Sequence, residues 1–431
     1  MIYTRVVVIG GGFGGINCVQ TLKKTNLDLL LIDKKNHHLF QPLLYQVATA
    51  ALSPADIAAP LREIFANQTN ATVIMGTVES IDKKKRQIAL VNGDRISYDY
   101  LVVAIGARHS YFGNDRWEPL APGLKTMTDA LKIRERILIS FEKAERMENT
   151  REAEKYLNFI IIGGGPTGVE MAGAIAEIAH RTMFKNFRRI NPEKSKIYLV
   201  EGESRILPPF PEKLSARAKK DLETMGVRVI TGALVTDITE EGARLGKDFI
   251  VARNVIWAAG NQVSPLLKTL DTPLDRQGRA MVEADLSIPE YPEIFVIGDA
   301  ACTIGKNGKP LPAVAPTAIQ QGRYVGRIIR KRVVKEKREP FKYFDKGGIA
   351  TIGKNKAVGF FRKVRFKGIF AWLIWGFIHV FYLVGYRNQF AVMLDWVLHY
   401  VTGLRGARLI HKNIDDELPN PNEKKREGKG S

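Results

Sequence analysis

The chain has only 2 cysteines in 431 residues, Cys18 and Cys302, far apart in sequence. That scarcity excludes a disulfide framework, a Cys-x-x-Cys redox pair, a cysteine zinc site and an iron–sulfur cluster, and no metal is expected. Both thiols read as small apolar packing residues. Acidic residues are scarce too: 45 Asp and Glu face 65 Lys and Arg, a formal net charge of +20. A charge of this size favours an anionic partner, whether nucleic acid, an acidic protein or an anionic membrane surface. No nucleic-acid-binding motif accompanies it, so nucleic acid is not expected. The first apolar strand begins at about residue 5, leaving no room for a signal or transit peptide. A reducing, cytosol-facing home follows. The length exceeds what one core supports and fits two or three domains.

What is present is a repetition. Arg5-Val6-Val7-Val8-Ile9-Gly10-Gly11-Gly12-Phe13-Gly14-Gly15 returns as Asn158-Phe159-Ile160-Ile161-Ile162-Gly163-Gly164-Gly165-Pro166-Thr167-Gly168. Each copy is an apolar run feeding Gly-x-Gly-x-x-Gly, followed by helix-forming residues. The first glycine makes the tight turn, the second lets backbone approach a pyrophosphate, and the third lets helix and strand pack closely. Two such motifs imply two dinucleotides. The usual reason to hold two is to pass electrons between them.

The flanking pattern supports an α/β fold. A strand at 5–9, a helix at 14–24 and a strand Leu27 to Ile32 ending at Asp33 make one βαβ unit. Asp33, followed by Lys34, stands where a carboxylate binds ribose hydroxyls and repels a 2′-phosphate. The apolar run Tyr100 to Ala107 closes in a small-residue turn at Ala104 and Gly106. In the second copy Ile197 to Val200 ends at Glu201, and Asn254 to Gly260 closes at Ala258, Ala259 and Gly260. The second copy's first helix reads longer, from about 167 to 188, which places Glu201 later. Arg205 offers an alternative there, because an arginine at that point can receive a 2′-phosphate. A late strand from Ile294 ends at Gly298-Asp299. Continuous apolar runs of this kind argue for parallel strands covered on both faces. A helix is expected from Ala318 to Tyr324, after Pro316, and the charge run at 330–339 reads as a solvated helix end or linker.

Beyond residue 345 the character changes. The 19 residues from 368 to 386 carry no formal charge, with Arg362, Lys363, Arg365 and Lys367 before them and Arg387 after. Such a helix almost covers a bilayer core. Its aromatic residues, Phe370, Trp372, Trp375, Phe377, Phe381, Tyr382 and Tyr386, suit the headgroup interface better than the hydrocarbon centre, so a surface-lying helix is expected. A second apolar stretch runs from Phe390 to Val401. After about 412 the chain is polar, and disorder is expected.

Three further segments carry a resemblance: Phe40-Gln41-Pro42-Leu43-Leu44-Tyr45-Gln46-Val47-Ala48, Gly163 through Glu170, and Arg405-Gly406-Ala407-Arg408-Leu409-Ile410. Together and in this order they are similar to type II NADH:quinone oxidoreductases of the two-dinucleotide flavoprotein superfamily, over residues 1 to about 412. The resemblance implies two Rossmann-like domains, with the NADH-binding domain (126–275) inserted in an FAD-binding domain (1–125 and 276–345). It adds a membrane-anchoring helical region (346–412) and a tail (413–431).

By that resemblance Gly10, Gly12, Phe13, Gly14, Gly15, Asp33, Lys34, Gln46, Ala104, Gly106 and Asp299 hold FAD. Gly163, Gly165, Pro166, Thr167, Gly168, Glu201, Ala259 and Gly260 hold NADH. Glu170 lies beside the nicotinamide and flavin rings, and Gln46, Gln320 and Gln321 lie near the quinone. The family often shows Ala-Gln-x-Ala-x-Gln where this chain has Ala315-Pro316-Thr317-Ala318-Ile319-Gln320, so Pro316 replaces the first glutamine. The implied reaction is hydride transfer from NADH to FAD, then two-electron reduction of a membrane quinone, menaquinone or ubiquinone, without proton pumping. The implied setting is monotopic attachment to the cytoplasmic face of the cell membrane, as a homodimer. A sulfide:quinone oxidoreductase shares this fold but needs cysteines close to the flavin, a pattern that Cys18 and Cys302 do not match.

Overall fold

The computed structural model describes residues 4–402 and 405–410. The tail expected at 413–431 lies outside them. The chain divides into two units, one of Met1–Phe40, Ala58–Ser110 and Gly260–Gly347, the other of Gln41–Ile57, Tyr111–Ala259 and Gly348–Ser431.

In the first unit, β1 (Thr4–Ile9) leads through the first glycine turn into α1 (Phe13–Thr21) and β2 (Leu27–Asp33), with β3 (Ala71–Met75) and β4 (Tyr100–Val103) further on. They align as β3-β2-β1-β4, all parallel. In the second unit, β5 (Asn158–Ile162), α2 (Pro166–Glu177), β6 (Lys196–Glu201), β7 (Val227–Thr231) and β8 (Asn254–Trp257) repeat the plan. Their order is β7-β6-β5-β8, again all parallel. Both glycine strands are central, so their apolar runs are buried on both faces: Val6, Val7 and Val8, like Phe159, Ile160 and Ile161, are 0% exposed.

The duplication extends further than the glycine motifs announce. Between β3 and β4 lies a three-stranded antiparallel sheet of Val78–Asp82, Gln87–Leu90 and Arg95–Ser97. Between β7 and β8 lies another, of Val235–Thr239, Gly242–Leu245 and Asp248–Val251. Their apolar runs, Ile88 to Val91 and Phe249 to Ala252, are only four residues long and partly exposed, because one face of each strand meets water and the strands are short.

Back in the first unit, β9 (Tyr291–Val296) pairs in parallel with β4, and α3 (Ala315–Arg330) follows. Pro316 stands in its first turn, where its missing N–H costs nothing. Both cysteines are buried.

Two expectations are corrected. The helix after the second glycine motif does not run to 188. It ends at Glu177 and gives way to a wider turn over Ile178–Thr182, where the His180 ring is held between the Met225 and Ser195 carbonyls at 3.1 Å each. The charge run at 330–339 is not wholly solvated. Arg338 and Lys335 turn inward onto the buried Asp285 carboxylate, at 2.9 and 2.7 Å.

The second unit closes with three antiparallel strands, Gly348–Gly353, Lys356–Phe361 and Val364–Lys367, then α4 (Gly368–Tyr382) and α5 (Tyr386–Thr402). The uncharged 368–386 stretch is thus broken: Leu383 is extended and Gly385 takes φ +92°. Fifteen residues reach about 22 Å, short of a hydrocarbon core of about 30 Å. No helix among the described residues is long and apolar enough to cross a membrane.

Candidate functional site

In the first unit Gly10 takes φ +105°, and its N–H donates to the Ile32 carbonyl at 2.8 Å. A side chain at Gly10 would lie 2.4 Å from the Ala104 carbonyl oxygen, and one at Gly15 would lie 1.9 Å from that of Gly10. Gly12 is the opposite case, with nothing within 4 Å of a Cβ placed there. That open side faces the start of α1, which has no side-chain cap and no acidic residue in its first turn. Helix-terminal amides, positive and without a protein carboxylate, fit a pyrophosphate.

Asp33 completes the cradle. Its Oδ2 accepts the Gly11 N–H at 2.6 Å and its Oδ1 the Lys35 N–H at 2.7 Å. Lys34 is exposed. Phe13 packs edge-on against His38, ring centres 5.0 Å apart, and Gly14 fits against Ile297. His38 was not among the expected residues. Its Nδ1 lies 3.1 Å from the Gly11 carbonyl, and burial lowers its pKa to about 4, so it braces the loop as a neutral ring. Ala104 donates to Ile9 at 2.8 Å, and Gly106 turns the chain with φ +66°.

The second unit repeats this almost bond for bond. Gly163, at φ +110°, donates to the Val200 carbonyl at 2.8 Å. A Cβ on Gly168 would come 1.8 Å from the Gly163 carbonyl oxygen, while Gly165 again has open space. Glu201 accepts the Gly164 N–H at 2.6 Å and the Glu203 N–H at 2.9 Å. Pro166 and Thr167 are exposed on the first turn of α2, which also lacks a side-chain cap and an acidic residue there. Ala258 donates to Ile162 at 2.7 Å; Ala259 and Gly260 follow. Arg205 is committed elsewhere: its guanidinium donates to the Phe210 and Pro208 carbonyls at 2.7 Å each, so it does not stand ready for a 2′-phosphate.

Asp299 sits in the turn Gly298–Ala300 of the first unit. Gln321 holds that turn. Its Oε1 accepts the Gly298 N–H at 2.6 Å, and its Nε2 donates to Thr303 Oγ1 at 2.9 Å. Gln320 grips the backbone of Phe344, accepting its N–H at 2.9 Å and donating to its carbonyl at 3.0 Å. Both amides project from α3 onto protein partners outside it.

Glu170 and Gln46 line one cleft of the second unit, with Tyr45, Trp396 and Arg405. Burial pushes the Glu170 carboxyl well above the ordinary carboxylate range, opposed by the Thr351 backbone N–H. Tyr45 and Gln46 lie on the short helix Leu44–Ala48. Trp396 Nε1 donates to Gln46 Oε1, and Gln46 Nε2 donates to Tyr45 Oη, both at 2.8 Å. Tyr45 Oη thus receives one hydrogen bond and keeps its own proton. Burial, first, and then Glu170 raise its pKa well above 10. Behind the cleft the buried Arg405 guanidinium donates to Glu177 at 3.0 Å and to the Thr49 carbonyl at 2.6 Å. Trp396 and Glu177 escape a sequence search because they meet the others only in three dimensions; Tyr45 and Arg405 carried a signal, since they stand in the Phe40–Ala48 and Arg405–Ile410 segments.

The two C-terminal helices wear their apolar residues outward. Phe370, Leu373, Phe377 and Phe381 on α4, and Phe390, Leu394, Val397 and Val401 on α5, recur at helical spacing and are exposed. Arg362, Lys363, Arg365, Lys367 and Arg387 around them are exposed as well.

Comparison with known proteins agrees with this arrangement. Residues 4–322 match the pyridine nucleotide-disulphide oxidoreductase family and residues 346–404 the NDH2 C-terminal domain. The type II NADH:quinone oxidoreductase NdhA of Mycobacterium tuberculosis is 43% identical over 94% of this chain and 89% of its own length. NDH2 from Plasmodium falciparum, solved in complex with NADH, superposes with a TM-score of 0.87 at 20% identity, covering 95% of this chain and 100% of that one. The sulfide:quinone oxidoreductase of Aquifex aeolicus shares the fold, with a TM-score of 0.72 at 18% identity, over 93% of this chain and 95% of that one. The chain belongs to the pyridine nucleotide-disulphide oxidoreductase family and, within it, to the type II NADH:quinone oxidoreductases.

Proposed function

We propose that this chain oxidises NADH and delivers the electron pair, by way of FAD, to a quinone drawn from a membrane. The observation that carries it is the duplicated glycine cradle, each copy with an open helix terminus and a strand-end carboxylate. FAD, when bound, supplies the hydride-accepting and electron-delivering chemistry. The chain's own residues bind, orient and hold protons.

The loop from Gly10 to Gly15 binds the pyrophosphate of FAD, with Asp33 toward its ribose and Asp299 toward its ribityl chain. The loop from Gly163 to Gly168 binds NADH, with Glu201 toward the adenosine ribose. Burial raises the Glu170 pKa and so favours its protonated form, which lessens the negative charge facing electron-rich groups in the cleft. Tyr45 presents its hydroxyl proton to a quinone oxygen, and Gln46 and Trp396 hold that hydroxyl in place. Gln320 and Gln321 contribute by shaping the start of α3.

The outward apolar faces of α4 and α5, ringed by cations, favour attachment to one leaflet of an anionic membrane on the cytoplasmic face. The cleft lined by Trp372, Trp375 and Trp396 of the same two helices gives a lipid-borne quinone its entry. Apolar area left over on these helices supports a homodimer. The sulfide reading is not favoured: burial pushes the Cys18 thiol up to about 12 and raises that of Cys302, so neither supplies a thiolate.

Anaerobic mixing tests the proposal. NADH alone should bleach the flavin absorbance of the purified protein, and a short-chain quinone should restore it. A flavin that NADH leaves oxidised, or that quinone leaves reduced, would overturn it.

A further inference from the structure

The first unit carries a cleft of about 570 Å³ to which neither glycine loop contributes, lined by the second half of α3 and the segment after it. Arg323, Arg327 and Lys331 occupy one wall at i, i+4 and i+8, and so share a helix face. Lys337 and Lys342 stand on the other wall, and Tyr324, Val333 and Phe341 form an apolar floor. Glu339 is the one carboxylate in the lining. Like charges at this helical spacing destabilise a helix. Cations at a helix C-terminus complement its dipole, which accounts for Arg327 and Lys331. It does not account for Lys337 and Lys342 beyond the helix; Arg323, two turns earlier than Lys331, donates its Nε–H to Asn17 Oδ1 at 2.9 Å.

The opposite wall is held rigidly. Arg338, whose side chain is 4% exposed, pairs with Asp285 at 2.9 Å, and Lys335 pairs with it at 2.7 Å. Against the burial that would raise it, these hydrogen bonds and that of Ser287 hold the Asp285 carboxyl down at about 2. The Phe341 N–H donates to Ala284 at 2.8 Å, the Tyr324 hydroxyl donates to the Glu339 carbonyl, and the Tyr324 and Phe341 rings meet edge to face at 5.4 Å. Two cations of the charge run are thus consumed in building the wall. Arg327, Lys331, Lys337 and Lys342 pair with no carboxylate among the described residues and remain available.

We propose that this cleft binds a ligand bearing two or more phosphate groups, its charge met by Arg323, Arg327, Lys331, Lys337 and Lys342. Such phosphates come either from a soluble oligophosphate compound or from the headgroup of a two-phosphate lipid. The probe for the first is inorganic tripolyphosphate, titrated by calorimetry into the FAD-loaded protein at low salt with NAD⁺ saturating, so that both glycine loops are filled. One site per chain is expected, weakening steeply with salt. The combined variant R327Q/K331Q/K342Q should bind at least about 10-fold more weakly, with FAD content, Tm and NADH oxidation unchanged, while Lys331→Arg should bind like the native chain. The second probe is co-sedimentation with phosphatidylcholine vesicles, with and without cardiolipin. If the triple variant loses the cardiolipin-dependent increment, the ligand is lipid-borne; if it keeps that increment but loses tripolyphosphate, the ligand is soluble. A native chain that binds neither probe, or a triple variant that binds both like the native chain, would overturn the proposal.

Discussion

The two glycine cradles differ by no more than 0.2 Å in four matched hydrogen bonds. Strand to first glycine is 2.8 Å in both, and carboxylate to middle glycine 2.6 Å in both. The carboxylate's second bond is 2.7 against 2.9 Å, and the closing turn 2.8 against 2.7 Å. What surrounds them differs. Gly11 is backed by Leu61 and His38, Gly164 by Glu201 and Ile206. Two residues past the last glycine stands Asn17 in the first copy, bonded to the Phe13 carbonyl at 2.9 Å, but Glu170 in the second. On the proposed reading the motif recognises what FAD and NADH share, a pyrophosphate and an adenosine ribose. Which dinucleotide enters, and what happens to it, is set by side chains that the motif does not specify.

The equivalence can be broken one cradle at a time. Gly168→Ala drives a methyl group into the Gly163 carbonyl, as Gly15→Ala does with Gly10. Overpacking of this kind costs about 3 kcal/mol, roughly 150-fold in kcat/KM. Gly168→Ala should keep its FAD and lose NADH-driven bleaching, whereas Gly15→Ala should be purified without flavin. Identical phenotypes for the two variants would contradict the division of labour between the cradles.

Next in size is Glu201→Ala, which removes the acceptor of two backbone hydrogen bonds, worth about 1.5–3 kcal/mol. NADH should lose about 10- to 100-fold in kcat/KM, and the preference over NADPH should narrow. Because Arg205 is tied to Pro208 and Phe210, NADPH should not overtake NADH. Steady-state kinetics with both nucleotides decide the point.

Glu170 of the cleft is matched by Asn17 in the first copy, and two smaller effects sharpen that asymmetry. Trp396→Phe leaves Gln46 Oε1 without its donor. Flavin reoxidation by quinone should slow about 10-fold, with reduction by NADH unchanged. Stopped-flow traces in which both half-reactions slow alike would contradict a role confined to the quinone step. Glu170→Gln mimics the protonated carboxyl and should stay within about threefold of native activity near neutral pH. The raised pKa means that the native group is uncharged below it and becomes an anion as pH rises through it. A fall in activity at alkaline pH should therefore mark the native protein and vanish in Glu170→Gln; a fall that persists in the variant points to another group.

Much of the fold was legible because burial on both faces forces unbroken apolar runs, as in Val6 to Ile9 and Phe159 to Ile162. The glycine turns and Asp33 were legible because steric exclusion permits few residues there. The antiparallel sheets at 78–97 and 235–251 were not, since half-solvated short strands leave only weak alternation. The 330–339 run was misjudged in part because a buried ion pair depends on where Asp285 lies, about 50 residues earlier in the chain. The cleft was half legible: Glu170 and Gln46 stand in recognisable segments, whereas Trp396, which orients Gln46, is 350 residues away along the chain.

By itself the amino-acid sequence determined the two βαβ cradles, their strand-end acids, the family, and a C-terminus rich in aromatic and basic residues. These depend on local sterics and on hydrophobic periodicity, which neighbouring residues specify among themselves. Only the tertiary structure decided that the C-terminal stretch breaks at Leu383 into two helices, that Arg205 is already bonded, and that Trp396, Gln46 and Tyr45 form one hydrogen-bonded row. The tertiary structure also turned Arg338 inward while leaving Arg327 and Lys331 free. A side chain's partner is whichever group the packed chain brings within about 3 Å, and no local pattern encodes a distance between residues hundreds of positions apart.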